Sequence, residues 1–233
     1  MISRRWKYEE TDGRILLRDA TVRYGRQIAL DAISGEFRPG SLTAVVGANG
    51  AGKSTLLAAI TGTVRLASGS IKRTASHRLA YLPQLASIDC EFPLTVMELI
   101  TLGGWREFGI FRAPPTEIQS RAVAAAEIVG LTGRLARPIG ELSIGELQRA
   151  LFARLMLQDA SVILLDEPFA AVDARTVATL IDHVADWHRE GRTVVVVLHD
   201  LDLVRARFPE TLVLAGRCVA WGPTETALSA MTA

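Results

Sequence analysis

Three short runs of almost unbroken apolar residues punctuate the chain, at 42–46, 161–165 and 193–198. They are rich in Val, Leu and Ile, are bounded by Gly or charged residues, and lack the alternation of a strand with one wet face. Such runs predict strands buried on both faces, as in a parallel sheet covered by helices. A helical pattern follows each run, over 53–61, 174–190 and 200–208. Strand then helix, repeated, predicts a layered α/β fold.

The stretch before residue 40 is patterned differently. Positions 14–24 and 27–37 are short, partly alternating strand candidates separated by Gly25 and closed by Pro39-Gly40. They predict an antiparallel β-layer over 1–40 beside the parallel sheet. The middle, 94–137, has no strand-like run; it reads as a helix, a break at Gly103-Gly104 and an alanine-rich helix over 116–129. No linker brackets it. The division expected is therefore one domain over 1–233, with its α/β core in 41–84 and 158–233 and a helical subdomain over 85–157.

Composition narrows the class. The 233 residues are 49% apolar and 22% charged, with a formal net charge of +1. That apolar content excludes a disordered chain, and the balanced charge argues against nucleic-acid binding by bulk basicity. A mean hydropathy of +0.24 raises the question of a membrane span, but every apolar run is far shorter than the ~18 residues a spanning helix needs. The polar, charged start (Met1 to Arg14) predicts no leader peptide, hence a soluble protein. Cys90 and Cys218 form no metal-ligand spacing and read as ordinary thiols.

The strongest chemical signal is Gly47-Ala48-Asn49-Gly50-Ala51-Gly52-Lys53-Ser54, a G-x-x-x-x-G-K-S phosphate loop between a predicted strand and a predicted helix. Glycines let successive backbone N–H groups face phosphate oxygens, and the helix start adds positive potential. Gly47, Asn49, Gly50, Ala51, Gly52, Lys53, Ser54 and Thr55 are the expected nucleotide-binding residues, with Lys53 reaching the β- and γ-phosphates and Ser54 holding Mg²⁺. The apolar run 162–165 ends in Asp166-Glu167. A carboxylate at the end of a buried parallel strand stands where such sheets bind ligands. Asp166 suits an outer Mg²⁺ ligand; Glu167, pointing the other way, suits polarising an attacking water. On its own, a solvated strand end explains the pair as well.

Together with these elements, further motifs resemble the ATP-binding subunits of ABC transporters over nearly the whole chain. Leu142-Ser143-Ile144-Gly145-Glu146 resembles that family's signature segment, with Ile144 in place of the usual glycine and Glu146 in place of glutamine. Tyr24 matches the aromatic that stacks on adenine, Gln84 the glutamine that reaches Mg²⁺ or the water, and Ala171-Val172-Asp173 the D-loop. His199 matches the histidine that contacts the γ-phosphate and helps hold Glu167. The resemblance implies a phosphate-loop NTPase fold and ATP hydrolysis with Mg²⁺, with Glu167, His199, Gln84 and Lys53 catalytic. It also implies a homodimer that sandwiches two nucleotides head to tail, in which Ser143 and Gly145 of one copy face the γ-phosphate bound to the other, with Asp173 of the D-loop a further nucleotide-binding residue. Separate transmembrane permease subunits are implied, with an extracytoplasmic solute-binding protein for an importer. The chain is then a peripheral protein on the cytoplasmic face of the inner membrane.

The run Tyr81-Leu82-Pro83-Gln84, then Asp89 and Phe92-Pro93-Leu94-Thr95-Val96, resembles the zinc/manganese uptake branch. Iron-chelate and haem importers, or an exporter with segregated subunits, are the alternatives. Asp89, Cys90 and Glu91 read as loop residues rather than a metal site. Leu85, Phe92, Leu94, Val96 and Trp105 are the expected lining of a groove for a short permease helix. A nucleic-acid repair ATPase would need a long coiled coil between Gln84 and Leu142, for which the spacing leaves no room, so no nucleic-acid partner is expected.

Overall fold

The computed structural model describes residues 13–73, 78–84, 93–109 and 112–231. Asp89, Cys90, Glu91, Leu85 and Phe92 lie outside them.

Two long strands, β1 (Ile15–Tyr24) and β2 (Gln27–Phe37), pair antiparallel from Ile15↔Phe37 to Tyr24↔Gln27. They turn at Gly25, which takes φ 59°. Their alternation is the reason they form a sheet with one packed face: Ile15, Leu17, Ala20, Val22, Leu30, Ile33 and Phe37 are buried. After β3 (Leu42–Val46) and α1 (Lys53–Thr61) comes β4 (Ser68–Arg73), which pairs antiparallel with β1 on its other side. The antiparallel layer is thus three-stranded, β2-β1-β4. Its third strand comes from beyond the first 40 residues, out of a stretch assigned from sequence to the α/β core. The sequence Ser-Gly-Ser-Ile-Lys-Arg carries little strand signal, because only Ser70 and Ile71 are even half-buried.

The second sheet has six strands. β5 (Leu79–Leu82), β6 (Val162–Asp166), β7 (Thr193–Val197), β8 (Glu210–Leu214) and β9 (Cys218–Pro223) join β3 in the order β5-β6-β7-β3-β8-β9. The pairs β6/β7, β7/β3 and β3/β8 are parallel and β8/β9 is antiparallel. All five residues of β3, β6 and β7 are buried, each fully buried Val or Leu side chain contributing about 1.5–3 kcal/mol. Phe37 and Trp221 pack as a tilted pair with ring centroids 4.5 Å apart, joining the antiparallel layer to β9.

The helices between these strands are α2 (Val96–Thr101), α3 (Trp105–Phe108), α4 (Thr116–Ile128), α5 (Ile144–Met156), α6 (Ala174–Arg189), α7 (Leu201–Arg207) and α8 (Thr224–Ser229). By its internal packing the chain forms two compact units. One comprises the residues up to Tyr81, Ala160–Glu167 and those from Val184 on; the other is Leu82–Asp159 with Pro168–His183. The second unit has its own core, built on Val96, Leu99, Ile100, Ile118, Ala122, Leu147, Leu151 and Phe152. Val96 is wholly buried there, which corrects its assignment to an exposed groove: it is the first residue of α2 and faces inward. Leu94 is half-buried, whereas Trp105 keeps 39% of its surface exposed. No helix among the described residues is long and apolar enough to cross a membrane.

Candidate active site

In the first unit, the phosphate loop hangs between the central strand and α1. β3 delivers the chain to Gly47, and Gly52, at φ 93°, turns it into the helix. A Cβ at Gly52 would sit 2.6 Å from the Ala29 carbonyl oxygen, so neither the conformation nor the space admits another residue. No side chain caps the start of α1, which leaves its first N–H groups and the positive end of its dipole facing the loop. The loop is braced from behind. Gly216, in the β8–β9 turn, donates its N–H to the Ala51 carbonyl (3.0 Å), and its own carbonyl accepts from the Asp31 N–H (2.7 Å). That support escapes sequence reasoning, which finds neither strand.

Lys53 is folded over the loop, its Nζ donating to the carbonyls of Gly47 (2.9 Å) and Ala48 (3.0 Å). Burial pushes its pKa down, and the negative charges of Glu167 and Asp166 oppose that shift. Asp166 closes β6 opposite Val197 of β7 and is only 1% exposed. Neither of its buried carboxylate oxygens has a partner in hydrogen-bond geometry. Burial raises its pKa; the Ser54 hydroxyl, close enough to favour the charged form, pulls against it, the Glu167 charge adds to the rise, and Lys53 and His199 offset part of it. Tyr81 on β5 shares this environment: burial, reinforced by the Asp166 charge, pushes its phenol up to about 12. No sequence signal marked that coupling.

Glu167 adopts φ 51°, the left-handed region that non-glycine residues rarely occupy. Its Oε1 lies 2.5 Å from His199 Nε2, just beyond the end of β7. Adjacent carboxylates on one chain therefore divide, Asp166 buried and Glu167 held by His199. Tyr24, at the end of β1, leaves 53% of its surface open.

In the second unit, Ser143 is the N-cap of α5. Its hydroxyl donates to Glu146 Oε2 (2.9 Å) and accepts the Glu146 N–H (3.3 Å), while the Ser143 N–H donates to the same carboxylate oxygen (2.9 Å). This is a reciprocal capping box. Arg134 Nε donates to the other oxygen, Oε1, at 3.1 Å. The Ser143 N–H and hydroxyl, aided by Arg134, hold the Glu146 carboxyl down at about 2. Ile144 is accommodated as the first residue of α5, with 64% of its surface exposed. Gly145 is demanded by contact: a Cβ there would lie 2.4 Å from the Ala171 carbonyl oxygen. Asp173 caps the start of α6, accepting the Thr176 N–H (3.0 Å) and hydroxyl (2.7 Å), which lower its pKa. Gln84 is exposed just past β5.

The structure brings Lys53, Ser54, Asp166, Glu167 and His199 to one place at the ends of β3, β6 and β7. Ser143, Gly145 and Asp173 form a second cluster, around the start of α5 and the carbonyl of Ala171. Sequence reasoning missed the linkage of Arg134 to Glu146 and the capping role of Ser143, although Ser-x-x-Glu ahead of an apolar helix was the signal for the latter.

Comparison with known proteins places this geometry. The ABC transporter family matches residues 30–170. A manganese transport system ATP-binding protein of Listeria monocytogenes is 36% identical over 88% of this chain and 88% of its own. A zinc transport system ATP-binding protein of Treponema pallidum is 36% identical over 91% of this chain and 82% of its own. Among solved structures, a metal-chelate type ABC transporter in an inward-facing conformation superposes with a TM-score of 0.78 at 26% identity, covering 94% of this chain and 88% of that one. A dimeric bacterial ABC transporter cassette shares the fold, with a TM-score of 0.80 at 23% identity over 90% of this chain and 98% of that one. A phosphate loop on a doubly covered sheet, a buried aspartate beside a histidine-held glutamate, and a match to the family over more than half its length make this chain a member of the ABC transporter family and one of its ATP-hydrolysing cassettes.

Proposed function

We propose that the chain is the ATP-hydrolysing subunit of an importer of divalent metal ions, zinc or manganese. The observation that carries the cargo is its similarity, over about nine-tenths of its length, to manganese and zinc transport system ATP-binding proteins. The permease is a separate transmembrane subunit served by an extracytoplasmic solute-binding protein, and the ATPase works at the cytoplasmic face of the membrane. The exposed Leu102 and Trp105 of the second unit are the apolar residues offered to it.

Two copies sandwich two ATP molecules. Tyr24 stacks on adenine, and the loop from Gly47 to Thr55 holds the phosphates with its N–H groups. Lys53 exchanges the Gly47 and Ala48 carbonyls for phosphate oxygens. A carboxylate buried without hydrogen-bond partners beside a serine hydroxyl fits a divalent cation, so Asp166 and Ser54 would hold Mg²⁺, which when bound supplies neutralisation of phosphate charge. Glu167 orients and polarises the attacking water, and His199 fixes the Glu167 carboxylate. Ser143 and Gly145, at the start of α5, and Asp173 face the triphosphate of the partner copy. ATP favours the closed dimer and ADP the open one, and that difference in affinity is what can drive the permease.

Uptake of radiolabelled manganese and zinc by a deletion strain, complemented with the unmodified chain or with Glu167→Gln, tests the reading. Uptake should return only with the unmodified chain. A second reading, an iron-chelate or haem importer, draws on the likeness to the metal-chelate type transporter; it wins if uptake of a ferric chelate is lost instead and metal uptake is not.

A further inference from the structure

We propose that Arg134 is a positioning residue for ATP-driven dimerisation: it holds the Glu146 carboxylate, and through it the Ser143 hydroxyl, so that a negatively charged side chain is tolerated beside the partner's triphosphate. The proposal rests on the dimeric reading above. It starts from an oddity of charge. A carboxylate stands three residues after the serine that is to meet a phosphate, and like charges brought together oppose association. Glu146 is ionised at every working pH, and its two oxygens are divided between tasks. Oε2 takes the Ser143 hydroxyl and N–H, and Oε1 takes Arg134 at 3.1 Å.

The single hydroxyl proton of Ser143 is therefore aimed at Glu146. To donate to a phosphate it must leave that carboxylate, which is easier when the guanidinium already satisfies part of the carboxylate's charge. Arg134 is fixed for the purpose. It ends the turn Thr132–Arg134, its N–H donates to the Leu131 carbonyl (2.8 Å), and its own carbonyl accepts from the Arg137 N–H (2.9 Å). Arg149 of α5 donates to the Val129 carbonyl at 2.8 Å, tying the preceding residues to the helix whose first turn carries Glu146. The Arg134–Glu146 pair is partly solvated, with 41% and 18% of the two side chains exposed. A pair of that kind contributes little to folding, so its effect belongs to function rather than stability.

The test is a double-mutant cycle in the full chain: unmodified, Arg134→Ala, Glu146→Gln, and both together. For each, kcat and KM for ATP are measured, and the ATP dependence of dimerisation is read with Glu167→Gln added. Arg134→Ala alone should raise KM and the ATP needed for dimerisation about tenfold, at an unchanged melting temperature. Beside Glu146→Gln, which keeps the capping box but removes the charge, the same substitution should change either by less than twofold. An equal effect in both backgrounds, no effect in either, or a loss of melting temperature that accounts for the change would overturn the role given to Arg134. If the unmodified chain hydrolyses ATP but does not dimerise, the dimeric reading fails and takes this proposal with it. If it dimerises and the cycle shows no coupling, only the role of Arg134 fails.

Discussion

Replacing Asp166 with asparagine should make the protein more stable and inactive at once. The carboxylate is 1% exposed, its oxygens lack partners in hydrogen-bond geometry, and burial raises its pKa even after the nearby Ser54 hydroxyl and the charges of Lys53 and His199 are counted. A buried polar group left unsatisfied costs about 1–3 kcal/mol and a charged one more; asparagine keeps the shape and the polar cost but removes the excess due to the charge, taken as about 1–3 kcal/mol. For a chain of this size each kcal/mol moves Tm by about 2–4 °C, so a rise of roughly 2–12 °C is expected in nucleotide-free protein with a chelator present. The pH dependence carries the sign. With its pKa raised in the folded state, Asp166 lets the native protein bind more protons than the unfolded chain between the ordinary carboxylate value and the raised one. Stability from this group therefore falls as pH rises through that window and stays low above it. The advantage of the variant should grow as pH rises through that window and vanish as pH drops below the ordinary carboxylate range. Urea unfolding followed by circular dichroism across pH measures it. A variant less stable at neutral pH, or one whose advantage does not depend on pH, would refute the assignment of Asp166 as an unsatisfied buried charge.

Other substitutions separate the parts of the machine. Glu167→Gln should lower kcat by about 10²–10⁴-fold while ATP binding persists, read by steady-state kinetics and nucleotide titration. Tyr24→Ala should raise KM for ATP by about 5–150-fold with kcat little changed, the equivalent of 1–3 kcal/mol of lost stacking. Gly145→Ala forces a methyl against the Ala171 carbonyl and should destabilise by about 1–3 kcal/mol, visible as a lower urea midpoint. Val96→Asp buries an unpaired charge in the core of the second unit and should cost several kcal/mol. Trp105→Asp, at an exposed site, should leave the fold intact, and limited proteolysis tells the two apart.

Legibility followed burial. β3, β6 and β7 stood out because both faces are covered, which removes the alternation and leaves an unbroken apolar run. The phosphate loop was readable because its conformation restricts residue choice at Gly52. β4 was invisible, since Ser-Gly-Ser-Ile-Lys-Arg lies largely exposed and is a strand only because β1 offers it a ladder. The inward turn of Val96 was hidden as well: a short apolar segment does not say which way it faces until its neighbours Leu99 and Ile100 set the helix. Ser143 and Asp173 were recognised by position in a motif, yet what the structure adds is that each also starts a helix, so their removal carries a folding cost of about 1 kcal/mol beside any effect on nucleotide.

The place of β3 in its sheet has a consequence for synthesis. It is bordered on both sides by partners from the far end of the chain, β7 and β8. As the polypeptide leaves the ribosome, Leu42–Val46 emerges before its partners and must wait for Thr193–Val197 to pair one edge and for Glu210–Leu214 to pair the other. Closing so long a loop is slow, and an apolar strand with two open edges is in the meantime a template for aggregation. Truncation before residue 214 should therefore yield not a weakened ATPase but an insoluble fragment, and nascent chains of that length are where chaperones should be found.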